Sequence, residues 1–362
     1  MITVVIPTIG RSSLHATLAS VGSSVPVIVV DDRKVGTPSS SESHTEGKYT
    51  GGATHTKEHG VRRTGGVFPG TDRHGVAPLG VPAHVRVVRS GGRGPAAARN
   101  AGWRAADTPW VVFLDDDVVP EPGWVESVWK DLVDLPDDVA GSQGRIAVPL
   151  PGGRRPTDAE RNTAGLSDAL WVTADMAYRR SVLRELDGFD ERFPRAYRED
   201  ADLALRVLAA GHRLVRGDRV TTHPVRDDGF WASVRFQRGN ADDALLRRLY
   251  GPSWRTSIGG APGRLRRHAL TTGLGLAALA LGAAGALRRA RGRGGPGRSW
   301  GLPGAAAAAA AAWAALNAEF AWARIAPGPR DPREVTRMAV TSVVIPPVAC
   351  AHRLRGEWRV RR

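Results

Sequence analysis

Short runs of β-branched residues alternate along this chain with stretches whose apolar positions recur at helical spacing. The first run is Ile2–Thr8 (ITVVIPT), and the stretch after it, GRSSLHATLASV, sets Leu14, Leu18 and Val21 on one helical face behind serines suited to capping. A second strand, VPVIVVDD, closes on Asp31 and Asp32, and a third is expected over residues 85–90. A Gly-rich turn, a helix over GPAAARNAGWRAA and a fourth strand in WVVFLDDDVVP follow. Such alternation in short units predicts a parallel sheet with helices on both faces. Ligands of these sheets bind beyond the carboxyl ends of the strands, where Thr8, Asp31, Asp32 and the aspartates 115–117 converge.

The fourth strand delivers three consecutive carboxylates, Asp115, Asp116 and Asp117, to the point where it must end. Like charges this close raise one another's pKa unless a cation neutralises them. Hard oxygen ligands suit Mg²⁺ or Mn²⁺, ions that commonly carry phosphate. A solvated acidic turn capping the next helix is the plainer alternative.

Charge is unevenly divided. The chain has 362 residues and a formal net charge of +15. Residues 251–362 hold 18 Arg, no Lys and four acidic residues, whereas residues 1–250 hold 33 basic against 32 acidic. This argues against a nucleic-acid-binding catalytic domain and for a tail that meets an anionic surface. The shortage of lysine beside many arginines, alanines and glycines also fits a GC-rich coding sequence. The length allows one sizeable α/β domain plus an appendage, expected at 1–250 and 251–362. No GxGxxG run follows an expected strand and no GxxxxGKS run occurs, which disfavours dinucleotide oxidoreductases and P-loop enzymes.

The ordered set IPTIGR, VIVVDD, GPAAARNAGWRAA, FLDDDVVPEPGW, MAYRRSVLRELDGFDERF and REDADLALRVLAAGHRL resembles family 2 glycosyltransferases of the GT-A fold, over about residues 1–226. The resemblance implies a Rossmann-like mixed sheet flanked by helices and a nucleotide-diphosphate sugar as donor. It implies further that Asp115 and Asp117 form a DxD motif holding Mn²⁺ or Mg²⁺ against the donor diphosphate. Asp116 would then support the site or face the ribose, and Thr8, Asp31 and Asp32 would contact the nucleoside. Arg99 matches a nucleotide-contacting position, although ARN at a helix start equally suits packing and capping. His223, in TTHPV, matches a histidine that some members add as a third metal ligand.

In REDADLALR, Glu199 and Asp200 open a helix whose Leu203, Val207 and Leu208 form an apolar face, so both carboxylates sit at the positive end of its dipole. In an inverting transfer one carboxylate takes the proton of the acceptor hydroxyl while charge on the departing diphosphate is neutralised. The family pattern makes Asp200 the base and Glu199 its orienting partner; acidic helix capping is the structural alternative. Trp171 and Asp175, in LWVTADMAYRR, are expected on the acceptor side, with Asp175 departing from the neutral residue usual there. The stretch AGSQGRIAVPLPGGRRPTDAERNTAGLSD is expected to form a strand and a mobile loop near the donor.

The tail alternates apolar blocks with arginine clusters. Residues 269–287 lack charge and approach the length of a bilayer span, with RLRRH before them and RRARGRGGPGR after. Both flanks favour the cytoplasmic side, so one simple crossing does not satisfy them. A block at 300–325 is alanine-rich and carries Asn317 and Glu319, and a third at 338–351 is interrupted by Pro346 and Pro347. Interfacial or re-entrant helices, or a hairpin of the first two blocks, are therefore expected to hold residues 264–362 on the membrane, with a packed helical subdomain as the soluble alternative. Met1 leads straight into a core strand, so no leader is expected, and the single cysteine, Cys350, suits a catalytic domain on the cytoplasmic face. Residues 33–84, with His44, His55, His59, His74 and His84, have low hydrophobicity and no period, and are expected to form a disordered insertion.

The chain is thus expected to transfer a sugar to a hydroxyl acceptor that is lipid-linked or near the membrane. A non-catalytic nucleotide-sugar-binding or scaffolding protein is the alternative. A GT-A-like nucleotidyltransferase is weaker, because TIGRSS is too short for the Gly-rich loop of such enzymes.

Overall fold

A computed structural model describes residues 1–34, 78–292 and 301–361. Of the insertion expected at 33–84, residues 35–77, with His44, His55, His59 and His74, lie outside the described residues, as does 293–300, whereas 33–34 and 78–84, with His84, are described. The elements run β1 (Ile2–Thr8), α1 (Leu14–Val21), β2 (Val27–Asp31), β3 (Arg86–Arg89), α2 (Pro95–Ala105), β4 (Trp110–Leu114), β5 (Val119–Pro120) and α3 (Trp124–Leu132). Next come β6 (Val139–Ala147), α4 (Asp158–Ala164), β7 (Asp175–Arg179), α5 (Arg180–Glu185), α6 (Glu199–Ala209) and β8 (Arg213–Thr222). Helices α7 (Ala232–Arg235), α8 (Asn240–Tyr250), α9 (Trp254–Ser257), α10 (Leu265–Ala290), α11 (Gly301–Ile325) and α12 (Pro332–Arg361) complete the chain.

Two compact units result. One comprises residues 1–145, 173–199 and 207–221; the other comprises 146–172, 200–206 and 222–362. The division differs from the one expected at residue 250, because α8 packs along α12 and the segment bearing α4 is bonded to the end of α11 and the start of α12.

The first unit is built on a mixed sheet of order β3-β2-β1-β4-β7-β6-β8-β5. Strands β1, β2 and β4 are near-continuous apolar runs buried along most of their length, as parallel strands covered on both faces require. Parallel register sets Val4 beside Val27 and Thr8 beside Asp31, and β4 lies parallel on the other side of β1. Strand β7 then runs antiparallel to β4, with Leu114 opposite Asp175. Helix α2 presses onto the sheet at Gly102, where a Cβ would fall 2.2 Å from Val5 Cγ1. Helix α1 buries Leu14, Leu18 and Val21 as its spacing predicts. Its expected serine cap is absent: Ser13 is itself in the α region and its hydroxyl makes no capping bond.

In the second unit α10 and α11 lie antiparallel. Arg264 pairs with Glu319 at 2.7 Å, and a Cβ on Gly275 would lie 2.9 Å from Trp313 Cδ1. Helix α12 continues through Pro346 and Pro347. These prolines remove two intrahelical donors, and long-range packing on α8, α10 and α11 keeps the helix intact. By length and composition α10 and α12 could each cross a membrane, at mean hydropathies of 1.7 and 1.2. The third apolar block therefore belongs to a longer helix than its own composition suggested. The stretch expected as a mobile loop carries α4, closed by a capping box in which Thr157 accepts from the Glu160 amide and Glu160 from the Thr157 amide.

Candidate active site

The carboxyl ends of β1, β2 and β4 gather the expected side chains of the first unit. At the end of β1, Thr8 Oγ1 accepts from the Gly10 amide at 3.0 Å and donates to Asp116 Oδ2 at 2.6 Å. Gly10 has φ +84°, and a Cβ there would lie 2.9 Å from Arg33 Cδ, so the turn requires glycine on both counts. Arg11 Nη1 donates to Asp116 Oδ1 at 2.7 Å and stands 3.7 Å from Asp117 Oδ2. Burial opposes the Arg11 charge, but Asp116, Asp117 and Asp115 outweigh it and raise its pKa above the ordinary value.

At the end of β2, Asp31 is buried and accepts from Arg33 Nε at 2.9 Å and Nη2 at 2.8 Å. Burial raises its pKa, yet the Arg33 bonds prevail and hold the carboxyl below the usual range. Asp32, also buried, accepts from Ser90 Oγ at 2.6 Å and from the Gly94 amide at 2.9 Å, fixing the turn that starts α2. Both aspartates thus brace the strand ends, with their carboxylates committed to chain partners.

Arg99, on the second turn of α2, is 2% exposed. It donates from Nη1 to Glu199 Oε1 at 2.6 Å and from Nη2 to Asp115 Oδ1 at 2.8 Å, and it stacks 5.7 Å above the Phe189 ring. The nucleotide contact expected of it gives way to this internal bridge. Asn100 beside it holds the Phe189 backbone through its carbonyl and amide groups, so ARN serves packing as well as charge.

Glu199 is 2% exposed at the first position of α6, and Asp200 follows half-buried, with Oδ1 accepting from the Ala201 amide at 2.7 Å. The preceding Arg198 has φ +80°, a left-handed conformation uncommon for a long side chain, where the backbone turns into α6. His223 follows β8 in the second unit; its amide donates to the Ala147 carbonyl at 2.8 Å and Nδ1 lies 3.1 Å from the Pro224 carbonyl. Trp171, in the same unit, is half-buried with φ +65°.

Asp175 corrects the sequence reading. Expected on the acceptor side, it is fully buried, and its oxygens accept from Arg219 Nε and Trp124 Nε1, each at 2.7 Å, and from Thr221 Oγ1 at 2.6 Å. Arg219 is fully buried as well, and pairs with Asp131 at 2.9 Å. The charge at this departure from the family pattern is compensated inside the sheet and does not reach solvent. Arg11 is the residue the sequence reading missed, although an arginine three residues past a strand that ends beside acidic neighbours was a usable signal.

Among the described residues no three His, Cys, Asp or Glu groups stand spaced to hold a metal ion by themselves. Mg²⁺ and Mn²⁺ sites need fewer: one or two carboxylates, completed by water and substrate phosphate. Two carboxylates, as expected of Asp115 and Asp117, would suffice for such a set. The Asp115 side chain is 31% exposed with one oxygen on Arg99, whereas Asp116 has both oxygens committed to Thr8 and Arg11.

Residues 81–199 match the family described as glycosyl transferase family 2. The pre-mycofactocin glycosyltransferases of Mycobacterium tuberculosis strains CDC 1551 / Oshkosh and ATCC 25618 / H37Rv are each 38% identical over 136 residues, covering 34% of this chain. The chain spans 28% of the length of these curated relatives. Among solved structures, a mannosyltransferase of Pyrobaculum calidifontis in complex with GDP-Man and Mn²⁺ aligns at TM-score 0.49 and 16% identity, over 99% of this chain and 87% of that one. Glucosyl-3-phosphoglycerate synthase of Mycobacterium tuberculosis, in complex with phosphoglyceric acid, aligns at TM-score 0.40 and 16% identity, over 73% and 81%.

Proposed function

We propose that this chain, which belongs to glycosyl transferase family 2, moves a sugar from a nucleotide-diphosphate donor to a hydroxyl acceptor with inversion at the anomeric carbon. The observation that carries this reading is the Arg99 bridge, which ties the Asp115 turn of the donor side to Glu199, the residue joined directly to Asp200. Such a tie fixes Glu199, the residue before the expected base, against the Asp115 turn, and fixed geometry of this kind supplies a large part of a two-substrate reaction's rate.

Asp200 takes the proton of the acceptor hydroxyl as that oxygen forms a bond to the anomeric carbon. The bond from that carbon to the diphosphate oxygen breaks, and its electron pair leaves with the nucleotide. Asp115 and Asp117 would hold Mn²⁺ or Mg²⁺, and a cation there would neutralise charge on the leaving diphosphate. Thr8, Asp31, Asp32 and Asp116 shape the nucleoside end, Arg99 and Glu199 orient, and Trp171 offers a stacking face to the acceptor. The exposed apolar surface of α10 and the basic character of residues 251–362 support an acceptor that is lipid-linked or membrane-proximal, met at the cytoplasmic face of the membrane.

Transfer or hydrolysis across a panel of nucleotide sugars, in detergent with Mn²⁺, tests the reading. Asp117→Ala and Asp200→Ala should each lower turnover by about a hundredfold or more. Donor binding without turnover across the panel would instead identify a nucleotide-sugar-binding protein, and turnover untouched by either substitution would remove these residues from the reaction.

A further inference from the structure

The second unit contains a cavity of 470 Å³ between α8, the α9 segment, the start of α10 and Arg353 of α12. Five arginines line it, Arg247, Arg255, Arg264, Arg266 and Arg353, against one carboxylate, Asp243. Asp243 is buried and already paired with Arg255, while Arg264 and Arg353 pair with Glu319 and Glu357. Arg247 and Arg266 have no ion-pair partner among the described residues. In addition, Nε of Arg264 is buried with no hydrogen-bond acceptor among those residues. Guanidinium groups crowded into one cavity repel each other unless an anion joins them, and their planar forks match phosphate oxygens.

The position of the cavity narrows the anion. Arg264, Leu265 and Arg266 bring the first turn of α10 to its wall, and no acidic residue occupies that turn. Beyond it residues 269–287 carry no charge, and Leu270, Leu276, Leu279 and Leu287 are 56–73% exposed. A ligand with its phosphate in the cavity therefore has bare apolar helix beside it. A soluble phosphate uses only the first half of this arrangement.

We propose that this cavity binds the phosphate headgroup of a membrane lipid whose hydrocarbon chains lie along α10. The inference rests on the membrane association proposed above, and it adds a defined headgroup site to what would otherwise be general attraction between basic residues and anionic lipid.

The full-length chain, purified in detergent, is tested for binding to phosphatidylcholine vesicles carrying phosphatidic acid and to charge-matched vesicles carrying phosphatidylglycerol. A preference of about thirtyfold for phosphatidic acid is expected, as two well-placed basic contacts would give. Arg247→Gln with Arg266→Gln should abolish that preference, whereas Arg288→Gln with Arg289→Gln, at the far end of α10, should weaken binding to both vesicles alike. No preference in the wild type, or a preference that survives in the cavity variant, overturns the proposal. If millimolar inorganic phosphate removes the preference, the cavity is a site for soluble anions and the lipid assignment falls. Donor turnover is measured on the same wild-type sample, so loss of the vesicle preference with turnover intact sinks only this site, and absent turnover sinks the enzymatic reading.

Discussion

Arg99 donates to Glu199 at 2.6 Å, and both side chains are only 2% exposed. A buried pair of this kind gains less from its own attraction than it loses when one member is removed, because the survivor is left charged and unsolvated. Arg99 also holds Asp115, so its removal takes a guanidinium from two carboxylates, of which Asp115 is 31% exposed. Arg99→Gln is expected to lower the unfolding free energy by about 3–5 kcal/mol, and Glu199→Gln by less, since a neutral acceptor remains for the guanidinium. Urea denaturation of both variants reads the difference. Equal and small losses would mean that the bridge contributes little to the fold.

Much of the first unit was legible because its signals are local. The apolar runs of β1, β2 and β4 and the spacing of Leu14, Leu18 and Val21 each carry their own period, and the aspartates at the strand ends stand where strand-end chemistry suggested. What stayed hidden depends on contacts distant in sequence. Nothing near Asp175 announces that Arg219, 44 residues on, will neutralise it inside the sheet. Likewise Pro346 and Pro347 read as a break, and only packing on α8 and its neighbours explains why α12 runs through them. Arg99 was ambiguous for the same reason, because its partners Asp115 and Glu199 lie on other elements.

The Asp175 network gives a test that separates structure from acceptor chemistry. Asp175→Ala leaves Arg219 buried with Asp131 as its remaining carboxylate, and a loss of about 3–5 kcal/mol is expected. Arg219→Met should cost a similar amount alone, and the double variant less than the sum, since neither charge is then orphaned. The same proteins, where folded, should keep the wild-type KM for acceptor. A raised KM without a change in denaturation midpoint would return Asp175 to the acceptor site.

Acid should loosen the segment bearing α4. Hydrogen bonds from Arg154 lower the Glu160 pKa; burial opposes them, the Thr157 amide and hydroxyl reinforce them, and the net value falls from 4.5 to about 2. A folded pKa below the unfolded one means that the stabilisation is complete above pH 4.5 and is lost as pH falls toward 2. Glu160→Gln keeps the cap bond and loses the charge pairing with Arg154, so it should be less stable than wild type at neutral pH by up to about 1 kcal/mol, and the two should converge near the acid limit. Urea midpoints across this range decide it. A gap that persists at the lowest pH would trace the effect to packing and not to the carboxylate charge.

Two glycines in long helices should respond oppositely to alanine. Helix propensity alone favours alanine over glycine by about 1 kcal/mol at either position. Gly282 on α10 has no atom within 4 Å of an added Cβ, so Gly282→Ala should realise that gain. Gly356 on α12 lies against α8, where a Cβ would fall 2.5 Å from the Ala241 carbonyl oxygen and 2.6 Å from its Cα. Backbone atoms cannot swing aside as a side-chain tip does, and overpacking of this kind costs about 1–3 kcal/mol. Gly356→Ala should thus be destabilising despite its better propensity, and thermal unfolding in detergent should give shifts of opposite sign for the two variants. Stabilisation by Gly356→Ala would show that α12 and α8 stand farther apart than this contact requires.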